Sequence, residues 1–294
     1  MNQPTSTTIP ESAAPPPLSP GGRTAVRVLL VVVACALVAG VVLALAGFAW
    51  GASRFRVVAD SITLPTTLRT LAVDTGPMPV AIRITSDREA TEPRVDMRML
   101  SPTRTGSDPL SLSADGLTAR VSVASDPAPM LSWGRAGEIT VVLPPQVARG
   151  LAVTTEQEMG VVVAEADLDQ LIARNTDGAV VLNGSARAVD VTSAHGDITT
   201  GDAIRVADSF RAVTKTGDIA VNFAATPRTV EAQTQEGDVV IDLPGPGPFA
   251  VDATTGAGRG STVVDVPQTR DRNDAVSVIT ARSERGDVVV EATS

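Results

Sequence analysis

The amino-acid sequence predicts an all-β fold: a parallel β-solenoid of about seven or more coils of 18–21 residues, preceded by one transmembrane α-helix. Three observations predict it. A glycine recurs at nearly constant spacing in the second half of the chain, polarity around each glycine alternates with a period of two, and an uncharged apolar stretch lies near the N-terminus.

The composition excludes most familiar chemistry. The 294 residues include one Cys and one His and carry a formal net charge of −9. A single Cys forms no internal disulfide or thiolate metal cluster, and a single His excludes a two-histidine metal site. An acidic chain also disfavours nucleic-acid binding. We therefore expect a non-enzymatic protein with no cofactor, no metal and no nucleic-acid partner.

The N-terminal part predicts a tail and a membrane anchor. Residues 1–24 are rich in Pro, Ser and Thr, which predicts a disordered tail. Residues 25–52 are predicted to form the transmembrane helix, because Val28–Trp50 is uncharged and as a helix spans roughly 34 Å. We expect a single-pass protein of the cell membrane that contacts the lipid bilayer through Val28–Trp50.

Two alternatives to the anchor stay open. Ala44 and Ala46 form a pattern found at signal-peptide cleavage sites, although the apolar run is long for a signal peptide. Residues 32–35 have the residue types of a lipoprotein cleavage box, although the apolar run continues beyond Cys35. Arginines flank both ends, so orientation rests on the short tail and the long acidic domain, which favour an extracytoplasmic C-terminal domain.

The second half of the chain contains the repeat. Residues 53–150 are expected to form a linker, an N-terminal cap and irregular first coils, and residues 151–294 the regular coils. The recurring glycines are spaced by 18, 18, 21, 20, 21 and 28 residues: Gly160, Gly178, Gly196, Gly217, Gly237, Gly258 and Gly286. Four of them are followed by an aspartate: Asp197, Asp218, Asp238 and Asp287. We assign these residues to the structural turn of each copy.

The columns beside the glycines predict how the copies stack. The residue seven positions before each glycine is always apolar: Val153, Leu171, Val189, Phe210, Val230, Val251 and Ile279. Each copy is therefore predicted to be a strand, a tight turn and a strand, with one set of alternating side chains inside. One copy cannot bury its own apolar face, so we expect each copy to stack on the next. An antiparallel sandwich is the structural alternative.

The repeat resembles that of a known family. Residues 230–241 follow the pattern apolar-x-small-x-Thr-x-x-Gly-Asp-Val-x-Ile, which is similar to the repeat of the bacterial putative adhesin family, whose members have no established function. The stretch Glu138–Pro144 is similar to the segment that precedes those repeats. The resemblance covers roughly residues 65–292. It implies a β-solenoid, often tethered to a membrane, and brings no catalytic residues.

Individual residues suggest little chemistry. Asp197 and Asp202 are the best local pair for a calcium ion, but repeats near 20 residues are too sparse for a calcium-binding roll. Few aromatic residues are present for a sugar-processing cleft. His195 is expected to be an exposed turn residue. Trp133 is expected to cover the first coil, with a partner contact as the alternative.

Two functions are consistent with these predictions. The first is a membrane-tethered structural or adhesive module that displays an extracytoplasmic β-solenoid to an unknown protein or envelope component. The alternative is an envelope sensor or regulator, in which the solenoid binds a peptide, lipid or partner protein and signals through the helix and tail. The sequence leaves the oligomeric state open.

Overall fold

The computed structural model describes residues 55–102, 110–123, 137–256 and 258–293. The predicted tail, the predicted transmembrane helix at residues 25–52 and Trp133 lie outside these residues. The chain divides into Met1–Phe55 and Arg56–Ser294, and the fold described below is that of the second unit.

The first part of the unit contains seven strands and one short helix. They are β1 (Phe55–Thr63), β2 (Thr70–Gly76), β3 (Val80–Ser86), β4 (Arg94–Pro102), β5 (Leu110–Asp115), β6 (Thr118–Val123), β7 (Gly137–Leu143) and α1 (Pro145–Ala148). Prolines punctuate this part, which limits strand length and places turns between the strands.

The repeat region contains thirteen strands. They are β8 (Ala152–Ala164), β9 (Asp167–Asp177), β10 (Val180–Leu182), β11 (Ser185–His195), β12 (Ile198–Thr200), β13 (Ile204–Thr216), β14 (Ile219–Ala225), β15 (Thr229–Glu236), β16 (Val239–Pro244), β17 (Phe249–Thr255), β18 (Thr262–Asp265), β19 (Ser277–Arg285) and β20 (Val288–Thr293). Most copies contribute one strand before the glycine and one after it.

The two strands of each copy enter two different sheets. Strands β10, β12, β14 and β16 pair in parallel in sheet A, and β9, β11, β13 and β15 pair in parallel in sheet B. Strand β8 joins the sheets, because its first half pairs with β9 and its second half with β10. We call each pair of strands, one per sheet, a rung, and the whole series of rungs the stack.

The register places equivalent residues over one another. Val189 pairs with Phe210, Phe210 with Val230, and Val230 with Ile279. These side chains are at most 5% exposed and form part of one continuous core. Phe210 and Phe223 meet edge to face with ring centroids 5.2 Å apart, so the large side chains fill the space between the sheets.

The rungs do not follow chain order at the C-terminal end. Strand β19 lies between β15 and β17, and β20 lies between β16 and β18. The rung β17–β18 is therefore outermost, although it precedes β19–β20 in the chain.

The N-terminal end shows the same reversal and is then closed by antiparallel strands. The rung β2–β3 lies between β8 and the later rung β6–β7. Strand β5 covers β6 and strand β4 covers β7, both antiparallel. We call this the closed end of the stack and β17–β18 the open end.

These findings correct the predicted fold class. The protein is all-β, but the predicted fold class, a parallel β-solenoid of 18–21-residue coils, is wrong. The rungs exchange order at both ends, antiparallel strands close one end, and the described residues contain no helix long and apolar enough to cross a membrane. The reason is that the residue columns specify which kind of side chain each rung stacks on. They do not specify which copy of the repeat provides the neighbouring rung.

Candidate binding face

The glycine corners set the position of every strand that follows them. Six of the predicted glycines stack in one column, in the order Gly160, Gly178, Gly196, Gly217, Gly237 and Gly286. A Cβ on Gly217 would overlap the Gly196 carbonyl oxygen, and the Gly217 φ of +139° disfavours any other residue. The column therefore needs glycine so that successive backbones can approach each other.

The structure differs from the prediction at Gly258. A Cβ on Gly258 would meet nothing within 4 Å, whereas a Cβ on Gly260 would overlap the Gly286 carbonyl oxygen. Gly260 therefore occupies the corner of this copy, and Gly258 lies outside the column. The pairing agrees with this placement, because Thr262 and Val264 pair with Val288 and Val290, which follow Gly286 at the same distances.

The aspartates after the glycines form a hydrogen-bonded ladder. The Asp218 amide donates to Asp197 Oδ1 at 2.9 Å, the Asp238 amide to Asp218 Oδ1 at 2.8 Å, and the Asp287 amide to Asp238 Oδ1 at 2.7 Å. The Ser261 amide completes the ladder by donating to Asp287 Oδ1 at 2.7 Å, which lowers the pKa of the Asp287 carboxyl. Each carboxylate therefore ties its own rung to the next.

Buried polar side chains support the same corners from inside. Thr234 Oγ1 donates to the Gly217 carbonyl at 3.0 Å, and Ser283 Oγ donates to the Gly237 carbonyl at 2.7 Å. Asn175 Nδ2 donates to the Gly178 carbonyl at 2.9 Å. These three members of the polar column that stands three residues before each glycine thus satisfy backbone oxygens where the chain turns.

The outer surface of sheet B is neutralised by its own ion pairs. Arg187 lies 2.9 Å from Asp169 and 3.4 Å from Asp208, on either side of it. The hydrogen bond from Arg187 lowers the pKa of the Asp169 carboxyl, and Asp169 in turn raises the pKa of Arg187. Arg282 and Asp252 form a similar pair at 2.9 Å. Opposite charges therefore alternate from rung to rung on this surface.

The outer surface of sheet A differs, because an apolar stripe runs along it. The stripe residues occupy one position in register on seven strands and are half-buried, except Val263, which is 48% exposed. They are Val163, Val181, Thr199, Ala220, Val240, Val289 and Val263. Six of the seven side chains are apolar, although they face outward.

Carboxylates flank the stripe along part of its length. The aspartate ladder lies on one side, and Asp242, Glu291 and Asp265 lie in register on the other. A hydrogen bond with Asp242, and repulsion from Asp242 and Asp265, raise the pKa of the Glu291 carboxyl. Strands β10, β12, β14, β16, β18 and β20 contain no Lys, Arg or His. We call the stripe and its two carboxylate columns the binding face.

The repeat pattern predicted only part of this face. It includes the aspartates of the ladder but neither the stripe nor the second carboxylate column. The signal was present three positions after each glycine of the column, where an outward position is repeatedly apolar. The inward columns alone do not reveal this outward apolar position.

The other predicted residues form no reactive site. Asp197 accepts the Asp218 amide, and the Asp202 amide donates to Asn183 Oδ1 at 2.9 Å. His195 Nδ1 lies 3.1 Å from Asp177 Oδ1, and both side chains are more than half exposed. In the part of the chain that the structure describes, no group of three His, Cys, Asp or Glu side chains is placed to hold a metal ion.

Comparison with known proteins found similarity among solved structures. No protein-family model and no curated protein matches the chain. A solved structure named a putative adhesin, from Bacteroides fragilis, is 14% identical, with 81% of this chain and 97% of that chain covered and a TM-score of 0.47. A putative adhesin from Parabacteroides distasonis is 11% identical, with 81% and 97% covered and a TM-score of 0.42.

A third solved structure has a related name. It is called a putative cell adhesion protein, comes from Clostridium sporogenes, and is 9% identical, with 81% of this chain and 100% of that chain covered and a TM-score of 0.36. The resemblance to bacterial adhesins that the repeat indicated is thus also found among solved structures. At these identities, the functional inference rests on the surfaces of this chain.

Proposed function

We propose that this protein is a non-enzymatic adhesive or envelope-interaction module, displayed outside the cytoplasm, which binds a cationic and partly apolar segment of a partner protein. The observation that carries the proposal is the binding face, an apolar stripe between two columns of carboxylates on strands without basic residues.

The dimensions of the face suit an extended contact. Seven rungs spaced by about 4.8 Å give a stripe roughly 29 Å long. Apolar side chains of a partner would gain free energy by leaving water along the stripe. Lys or Arg side chains beside them would reach the carboxylates, and the one-sided charge would speed the encounter.

The contrast between the two sheets supports this choice of face. On sheet B arginines already contact carboxylates of their own chain, as Arg211 does with Asp190 at 3.3 Å. On the binding face, Asp242 and Glu291 instead have each other as neighbours. A cationic partner would relieve repulsion on the binding face but would compete with existing ion pairs on sheet B.

The shape of the face supports binding rather than catalysis. The carboxylates lie on the open surface of a sheet, and the aromatic side chains Phe210, Phe223 and Phe249 are buried in the core. The alternative role as a sensor depends on the N-terminal segments, which lie outside the described residues, and it stays a prediction. The bilayer contact through Val28–Trp50 stays a prediction for the same reason.

A peptide-binding experiment tests the proposal. The probe is a synthetic peptide of alternating Val and Lys residues, and the variant combines Asp242→Asn, Glu291→Gln and Asp265→Asn. We expect the variant to bind the peptide at least about tenfold more weakly at low salt, because three attractive charges are lost. Fluorescence anisotropy with a labelled peptide measures the affinity.

A matched control removes three carboxylates elsewhere: Glu156→Gln, Glu158→Gln and Glu284→Gln, which lie on β8 and β19. This control should bind within about twofold of the original chain, although it has the same net charge as the variant. Equal losses in both variants would show that only net charge matters and would overturn the proposal.

A further inference from the structure

The two ends of the stack differ in how the core is covered. At the closed end, Val121 of β6 and Ile139 of β7 are fully buried beneath the antiparallel strands β5 and β4. At the open end, the core positions Val251, Ala253 and Val264 are only partly buried. The apolar columns therefore reach the surface at the open end.

The strands of the open end also lack a partner on one side. Within the described residues, β17 pairs with β19 and β18 pairs with β20, and the only further β-bridge joins Phe249 to Gln268. The Phe249 amide donates to the Pro267 carbonyl at 2.8 Å, and the Thr269 amide donates to the Phe249 carbonyl at 2.9 Å. These bonds cover the first residue of β17 only.

The backbone groups of Val251 and Ala253 point away from the stack. Alternate residues of a strand direct their N–H and C=O groups to opposite edges. Because Phe249 bonds to the loop on the outer side, Val251 and Ala253 direct their groups to that side as well. An edge of this kind is a template for another strand.

The usual protection of an edge strand is weak here. Edge strands are commonly guarded by charged residues, proline or a bulge. Strand β17 has one charged residue, Asp252, and Arg282 already holds its carboxylate at 2.9 Å. Strand β17 itself therefore brings no unpaired charge to a contact between two copies.

We infer that the open end binds a second copy of this chain, so that β17 pairs with the partner's β17 in an antiparallel, two-fold symmetric dimer. The contact continues the rung-on-rung interface, since the columns at Val251 and Ala253 are those that stack inside the molecule. A two-fold contact uses the β17 edge of both copies, so the assembly stops at two copies.

Dimerisation through β17 does not involve the binding face. With β17 against β17 and the two-fold axis normal to sheet B, the two A sheets would lie side by side and both binding faces would be on one side of the dimer. Loss of dimerisation would leave peptide binding by one copy intact. Peptide binding and dimerisation can therefore be tested separately.

A single backbone substitution tests the dimer. Ala253→Pro removes the outward N–H of Ala253 and leaves the bonds between β17 and β19 in place, because those bonds use the alternate residues. The matched control is Ala253→Ser, which keeps the N–H. Sedimentation equilibrium of the full chain, in the same detergent for all variants, measures the dissociation constant.

We expect the original chain and Ala253→Ser to dimerise, and Ala253→Pro to dimerise at least about tenfold more weakly. Hydrogen exchange of residues 249–255 should slow as the concentration of the original chain rises. Equal association of all three chains, or exchange independent of concentration, would overturn the inference. If Ala253→Pro fails to fold by thermal melting, Val251→Lys replaces it with the same expected outcome.

Discussion

Gly217 shows how one absent side chain determines the distance between rungs. Its backbone lies against the Gly196 carbonyl, and its own carbonyl accepts the hydroxyl of Thr234. Position 217 therefore requires a residue without a Cβ on the side of Gly196. On the other side, its carbonyl requires a hydrogen-bond donor. A residue with a Cβ would push two rungs apart at the corner where the aspartate ladder joins them.

We predict that Gly217→Ala lowers the free energy of unfolding by about 2–4 kcal/mol, because the alanine combines an unfavourable backbone conformation with overlap of the Gly196 carbonyl. Chemical denaturation measures the change. Gly245→Ala is the matched control, since a Cβ there meets nothing within 4 Å, and it should change stability by less than about 1 kcal/mol. Equal effects at both positions would contradict the stacking role.

Strand β20 illustrates how neighbouring strands change the pKa of one carboxyl group, that of Glu291. Glu291 lies in register between Asp242 of β16 and Asp265 of β18. The pKa of its carboxyl is raised in the folded protein, first by the hydrogen bond with Asp242 and then by repulsion. The folded state therefore holds this proton more tightly than the unfolded state does, and ionisation of Glu291 opposes folding.

We predict that Glu291→Gln stabilises the protein at neutral pH and has little effect at about pH 3. Below the ordinary glutamate pKa of about 4.3, the carboxyl is protonated in both states and resembles glutamine. As the pH rises through the raised folded pKa, the original chain loses stability relative to the variant. Urea denaturation between pH 3 and 8 measures the difference, and Glu284→Gln on β19 serves as the control. A constant difference across this range would refute the prediction.

The sequence predicted the elements of the repeat better than their arrangement. Alternation around Gly237 identified β15 and β16, because inward and outward residues differ in polarity over several residues. It failed at Gly258, where a second glycine two residues later takes the structural position. Short-range polarity cannot distinguish two glycines so close together, because the distinguishing contact is with Gly286, far along the chain.

At the scale of the whole molecule, the order of the rungs could not be predicted from the columns. Val251 and Ile279 are both apolar, and Ala253 and Ala281 are identical, so either copy satisfies β15 equally well by residue type. The structure places β19 on β15. The stripe of the binding face crosses this exchange unbroken, from Val240 through Val289 to Val263.

We predict that the outermost rung is dispensable for the rest of the stack. Replacing residues 246–277 with Thr-Pro-Arg, the link between β14 and β15, would join β16 directly to β19 and omit β17 and β18. The shortened chain should unfold cooperatively, because β15 and β16 keep both of their neighbours. Circular dichroism during heating measures this.

The control for that experiment removes residues 277–294, which leaves β17 and β18 present but without their paired strands. Amides of residues 249–265 should then exchange rapidly with solvent. Slow exchange there would contradict this prediction, because it would mean that β17 and β18 can dock on β15 and β16 when β19 and β20 are absent.

The exchanged order of the last two rungs also has a consequence for biosynthesis. The ribosome makes β17 and β18 before β19 and β20, so the earlier pair emerges while its final neighbours do not yet exist. During that interval the nascent chain offers β15 a strand with the correct column residues but from the wrong copy. To reach the final fold, β17 must therefore either remain unpaired with β15 until β19 is made, or be displaced from β15 by β19.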